Sequence, residues 1–272
     1  MLRQGGKKPS YARLFNLINT NSLVGCYAFE PLNEDSPVKN EFLSLEADPR
    51  VLYKEGALDL AKLIAKELDK SIAKVEEVHG KEFTKKVTVH ICNTAECFSK
   101  YTGNHPLIAA AVSENGLFLA PLAFKAGHHK GFLTHELSHL HLFQQISLIQ
   151  THYIPQWFHD GLATFAANGG GGHNVTKSQA LDYIKANKNI VAVDSAGMFG
   201  KGGTFSNRWP LNYDASEDNK FQQNMNYRQS SMFVAYLSKG SKIQKVLRSI
   251  EAGDSFKESF KKLMVVVRVT YG

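Results

Sequence analysis

Two imidazoles four residues apart with a carboxylate beside the first are side chains that can hold a metal ion and move a proton next to it. His135-Glu136-Leu137-Ser138-His139 supplies that set. On an α-helix, positions i and i+4 lie about 40° apart around the axis and about 6 Å along it, so both imidazoles reach one ion. Glu136 is rotated about 100° from His135, beside the ion rather than on it. From there a carboxylate can take a proton from water that zinc has acidified to a pKa of about 7.

The element that must carry this motif is an apolar run from Phe132 to Leu148, free of proline and preceded by Gly131. It predicts a buried helix, and a buried helix has little other use for unpaired polar side chains. A catalytic zinc also needs a third protein ligand and an open position. Beyond Pro155 the chain reads Gln156-Trp157-Phe158-His159-Asp160-Gly161-Leu162-Ala163-Thr164-Phe165-Ala166, a second apolar helix with one acidic residue. Twenty residues lie between His139 and Asp160, enough for the first helix to end and a return helix to lie alongside. His159 competes with Asp160. The two lie about 100° apart around the helix, so at most one faces the metal squarely.

His-Glu-Leu-Ser-His followed by Pro155, Trp157, Phe158, Asp160, Gly161, Leu162 and Ala163 resembles the gluzincin branch of zinc metallopeptidases, in particular the bacterial peptidase MA-like families. The similarity spans most of the chain from Asp48 to Phe260. It implies an α+β zincin-like fold, a small mixed sheet with the active-site helix and a following helical part. It also implies one Zn2+ per chain held by His135, His139 and Asp160, with a peptide or protein as substrate. Those families carry Glu where this chain has Asp160, one methylene shorter, so the second helix must sit closer or the ligation must change. The helix containing Tyr227, Ser230, Phe233 and Tyr236 is similar to a Tyr-x-x-Ser helix of the same families. The resemblance gives Tyr227 the role of hydrogen-bond donor to the oxyanion, alongside Glu136 as the catalytic base. The rival reading is a catalytically inactive zincin-fold protein that binds peptides or a protein partner, kept open by the aspartate at the third-ligand position. An aminopeptidase reading rests on Glu114-Asn115 alone, and a hairpin turn accounts for those residues better.

The remaining elements read as scaffold. Asp48 as cap, Pro49 at the first turn and Ala57, Ala61, Ile64, Leu68, Ile72 and Val75 at helical spacing predict one long amphipathic helix ending at Gly80. Val87, Val89 and Ile91 alternate with Thr88, His90 and Cys92, predicting a strand in which His90 is structural. Thr94 caps a short helix, and Ser113-Glu114-Asn115-Gly116 predicts a hairpin with Asn-Gly at its turn. Strand pairing there would present an extended peptide to the metal helix. His128 and His129 fall in the loop before that helix, and His141 points away from its metal face. The four glycines from Gly169 to Gly172 predict no regular structure, either a flexible rim of the cleft or a linker. Asn174-Val175-Thr176 matches a glycosylation sequon, but Thr176 with Gln179 reads more strongly as a capping box for a helix to Ala186. A long loop from Val191 to Asp218, with Phe199, Phe205, Trp209 and Tyr213 as anchors, is placed to cover the groove. Tyr227 is expected to open the next helix; Ile243 to Ile250 and Phe256 to Leu263 read as short helices, and Met264 to Val269 as strand-like.

With 272 residues, 43% of them hydrophobic and 21% charged, the chain can bury one sizeable core. The expected division is residues 1–47 as a tail or lipoprotein signal and residues 48–272 as the metallopeptidase domain. The net charge of +7 comes from scattered Lys and Arg and reads as a solvated surface, with no nucleic-acid motif. The three cysteines, Cys26, Cys92 and Cys97, form no C-x-x-C pair and carry no zinc in this reading; Cys92 and Cys97 can pair in an oxidising compartment. No apolar run has the length of a transmembrane helix. Leu23-Val24-Gly25-Cys26 resembles a bacterial lipobox, although Asn16, Asn19, Thr20, Asn21 and Ser22 dilute the stretch before it. That leaves two readings, an unprocessed cytoplasmic tail or a cell-envelope lipoprotein anchored through Cys26.

Overall fold

A computed structural model describes residues 41–113, 116–147, 150–151, 153–188, 190, 216–240 and 242–262. The lipobox-like stretch with Cys26, residues 114 and 115, the 191–215 part of the long loop and the valine-rich end lie outside them. The described chain is mixed α and β with a five-stranded sheet. Strands β1 (Leu43–Leu45), β2 (Asp48–Tyr53), β3 (Val89–Ile91), β4 (Ala110–Ser113) and β5 (Gly116–Leu119) lie in the order β1-β2-β3-β5-β4. β2, β3 and β5 run parallel, and β1 and β4 are antiparallel edges.

Helix α1 (Leu58–His79) keeps the expected spacing. Ala61, Ile64, Leu68 and Val75 are buried, and Gly80 ends the helix at φ 76°, its N–H bonded to the Glu76 carbonyl at 2.7 Å. Burial of each of the larger apolar side chains stabilises the helix by about 1.5–3 kcal/mol. Its start is a correction, because Asp48 and Pro49 lie in β2 and not at a helix cap. Val51 and Leu52 enter cores on opposite faces of the sheet. That period-two burial outweighs the capping pattern, and Pro49 is tolerated because parallel pairing with β3 begins only at Val51. The Asp48 carboxylate instead receives the Arg50 guanidinium, at 2.9 and 2.7 Å. The sheet also begins at Leu43, ahead of the expected boundary at residue 48, and Phe42 and Leu45 already belong to the core.

β3 is shorter than its alternation predicts, and both its faces are buried. Val89 and Ile91 face α1, while His90 stacks on Phe118 with ring centroids 4.4 Å apart. Helix α2 (Ala95–Thr102) covers that second face, and Thr94 accepts from the Cys97 N–H as its cap. Cys92 and Cys97 form a disulfide across Cα atoms 5.6 Å apart, joining the end of β3 to α2. In the hairpin, Ser113 pairs with Gly116. The two intervening residues are therefore Glu114 and Asn115, and Gly116 belongs to the strand rather than to the turn.

A 3-10 stretch, Pro121–Gly127, leads into α3 (His129–Gln145), which ends before Leu148. Every residue from Leu133 to Leu142 on α3 is buried. The helix joins two cores: Leu133, Leu137 and Leu140 pack with α1 and the sheet, whereas Leu142 packs with the helical half. That half contains α4 (Gln156–Ala166), α5 (Lys177–Lys185), α6 (Glu217–Leu237), α7 (Lys242–Glu251) and a helical stretch at residues 256–262. The capping box of Thr176 and Gln179 is present at the start of α5. α6 begins ten residues before Tyr227, which is a mid-helix residue and not the first. No helix among the described residues is long and apolar enough to cross a membrane.

Candidate metal centre

α3 and α4 bring His135, His139 and Asp160 together. All three are buried, and they form a group that could hold a metal ion. His135 Nε2 and His139 Nε2 are 3.1 Å apart, and Asp160 Oδ1 lies 3.6 and 3.5 Å from them. The carboxylate is thus too far from either imidazole for a good hydrogen bond. It is well placed to share an ion, because ligands at zinc-like bond lengths in a tetrahedral site stand about 3.3 Å apart.

The tautomer of His135 favours ligation. Its Nδ1 lies 3.1 Å from the Gly170 carbonyl, which can only accept, so Nδ1 carries the proton and the Nε2 lone pair faces the triad. Thr164 Oγ1 stands 3.4 Å from the same nitrogen. Glu136 is buried next to His135 in sequence, and its Oε2 has no hydrogen-bond partner among the described residues. An unpartnered carboxylate oxygen in a dry site costs free energy unless chemistry uses it. His139 Nδ1 is likewise buried without a partner there.

Packing places the two candidates for the third position differently. The His159 ring stacks on the His139 ring, with centroids 4.4 Å apart and planes at 18°, and it touches Phe143. His159 thereby backs His139, while Asp160 belongs to the group that could hold an ion. On its other side, α4 packs closely on α6. A Cβ on Gly161 would stand 2.9 Å from Ser230 Cβ and 3.0 Å from Ser230 backbone atoms, so α4 lies directly against α6 there. The ring of Tyr227 on α6 is edge-on to His135, with centroids 5.6 Å apart.

The glycine run is neither a loose rim nor a linker. Gly169, Gly170 and Gly172 are buried in a turn following α4, pressed against the first turn of α3. A Cβ on Gly170 would meet the Gly131 carbonyl carbon at 2.6 Å, and one on Gly171 would meet His135 Nδ1 at 2.7 Å. Only glycine allows the backbone this close to the imidazole it orients. Four consecutive glycines are visible in the sequence, but their contact with Gly131 and His135 is not. His173, just past the turn, stacks on His128 with centroids 3.8 Å apart and meets Phe132 edge-on. Burial, with smaller effects from His128 and Arg228, lowers the His173 pKa to about 4. His128 precedes α3 and His129 is its first residue, stacked on Phe124.

His141 lies on the other side of α3, outside the triad as its spacing predicts. Its Nε2 donates to the Lys81 carbonyl at 2.8 Å, and its Nδ1 is 3.0 Å from His79 Nδ1. No family model and no curated protein sequence matches this chain.

Proposed function

We infer that the protein is a zinc-dependent metallopeptidase that hydrolyses peptide bonds. The observation that carries this reading is the buried His135, His139 and Asp160 group with the unpartnered carboxylate oxygen of Glu136 one residue along the same helix. The residues fit a zinc ion in number, chemistry and spacing: two imidazole nitrogens and one carboxylate oxygen, which leave an open position. When bound, zinc supplies an acidified water near neutral pH and polarises a carbonyl.

The chain's own residues supply the rest. His135 presents its Nε2 lone pair, oriented through its Nδ1–H bond to Gly170, and His139 Nε2 lies 3.1 Å from it. Asp160 provides negative charge in a site where little water screens it. Glu136, held beside the ligands and short of partners, takes a proton from the attacking water and returns it to the leaving amine. Tyr227 stands against His135, and its hydroxyl is assigned to the developing oxyanion. A partner-binding module has no use for a buried glutamate with an unpartnered carboxylate oxygen at this position, which favours the enzyme over the rival reading.

The test has two stages. Elemental analysis of protein purified without chelator should find about one zinc per chain, removable and restorable. Glu136→Gln should then keep that zinc while its cleavage of a peptide library falls by about 100-fold or more. Turnover by Glu136→Gln equal to that of the wild type would remove Glu136 from catalysis.

A further inference from the structure

Arg228, next to Tyr227 on α6, holds the glycine turn from the side opposite α3. Its Nε donates to the Val175 carbonyl at 2.8 Å, and its Nη2 donates to the Gly172 carbonyl at 3.1 Å. The guanidinium packs closely against the turn, since a Cβ on Gly169 would meet Nη2 at 2.7 Å and Cζ at 2.9 Å. Arg228 is half-buried and has no carboxylate partner among the described residues; burial alone lowers its pKa. Keeping a guanidinium here without a counter-charge is costly. The two carbonyls offset part of that cost, and both belong to the segment that seats His135.

The path from Arg228 to the imidazole is short and continuous. Gly172 N–H donates to the Gly169 carbonyl at 3.1 Å, and Gly169 N–H donates to the Thr164 carbonyl on α4 at 2.8 Å. Gly170, inside this turn, accepts from His135 Nδ1. The glycines make few apolar contacts of their own, because glycine has no side chain to pack. Val175 anchors the far end of the turn in an apolar cluster with Ala180 and Met225, and His173 stacks on His128. The position of the glycines themselves is set by backbone hydrogen bonds and by what presses on them: Gly131 of α3 on one side and the Arg228 fork on the other.

We propose that Arg228 is a positioning residue for the metal centre, which locks the turn from Gly169 to Val175 so that the Gly170 carbonyl holds His135 in the Nδ1–H tautomer with Nε2 available to the ion. The part concerning the ion rests on the metal reading above; the tautomer does not. The planar fork is essential to the assignment, because a lysine ammonium can reach one of the two carbonyls but cannot span both in fixed geometry.

The test uses the full chain as wild type, Arg228→Gln and Arg228→Lys, with Val246→Ala on α7 as a control for general loss of stability. Nitrogen-15 NMR of labelled histidine in the metal-free protein reads the His135 tautomer. Competition with a chromophoric chelator, well below each melting temperature, reads zinc affinity. The expected result is that both Arg228 variants lose the single His135 tautomer and bind zinc about 10- to 100-fold more weakly, the range for residues that orient a ligand. Val246→Ala should change neither readout. Wild-type tautomer and affinity in both Arg228 variants would overturn the proposal and leave the metal reading intact, and full rescue by lysine would overturn the role of the fork. If the wild type binds no zinc yet the variants still lose the tautomer, the metal reading falls and the positioning role stands. No zinc and no change of tautomer would overturn both.

Discussion

Helix α3 carries histidines on two faces, and the two faces are built differently. Against α1, the buried side chains of His79, Ser138, His141, Thr134 and Ser71 are all paired. Lys81 O can only accept, so His141 Nε2 donates to it; His141 Nδ1 then accepts from His79 Nδ1, and His79 Nε2 accepts from the Ser138 hydroxyl at 2.8 Å. Thr134 and Ser71 bond at 2.9 Å a turn earlier. Each proton in this chain has one place to be. Against α4, the Nε2 atoms of His135 and His139 converge with a carboxylate oxygen, and Glu136 Oε2 lacks a partner among the described residues. Both faces are equally dry. A closed polar seam fixes how two helices meet, whereas an open one is stable only when an ion, a proton or a substrate completes it.

That contrast should break most sharply at Asp160. Asp160→Asn removes the charge and keeps the shape, and zinc affinity should fall by more than about 100-fold, beyond the cost of losing a group that merely orients a ligand. A chelator competition showing unchanged affinity would transfer the third position to another residue. On the closed face the effect should be smaller and of another kind. His79→Ala strands the His141 nitrogen and the Ser138 hydroxyl, so denaturant unfolding should show a loss of about 1–3 kcal/mol, with zinc affinity unchanged. A metal affinity that moved with His79 would show that the two faces are not independent.

The smallest effect is a pH dependence. Burial, and for His79 also the neighbouring His141, lowers the pKa of both residues below the ordinary 6.5. The unfolded chain therefore takes up these protons first as the pH drops. The stability contributed by the neutral pair should be complete above about pH 6.5 and lost as pH falls below it toward the folded values, at up to about 1.4 kcal/mol per pH unit for each histidine. Metal-free wild type should thus lose more stability between pH 7.5 and 5.5 than metal-free His79→Gln. Parallel profiles would place the acid sensitivity elsewhere.

The parts of this protein legible in its sequence are those set within one element. The spacing of His135, Glu136 and His139, the apolar stripe of α1 with Gly80 at its end, and the caps at Thr94 and Thr176 follow from helix period and backbone chemistry, which act over a few residues. The false helix start at Asp48 failed for a related reason: a local capping pattern was outweighed by burial on both faces of a sheet in which β3, β4 and β5 lie tens of residues away. The choice between Asp160 and His159, the contact of Gly161 with Ser230, the seating of His135 on Gly170 and the grip of Arg228 on that turn all join segments distant in the chain. Spacing in sequence carries no information about such distances. Close packing between helices does, and only the assembled tertiary structure decides which glycine admits a backbone and which side chains converge on one point.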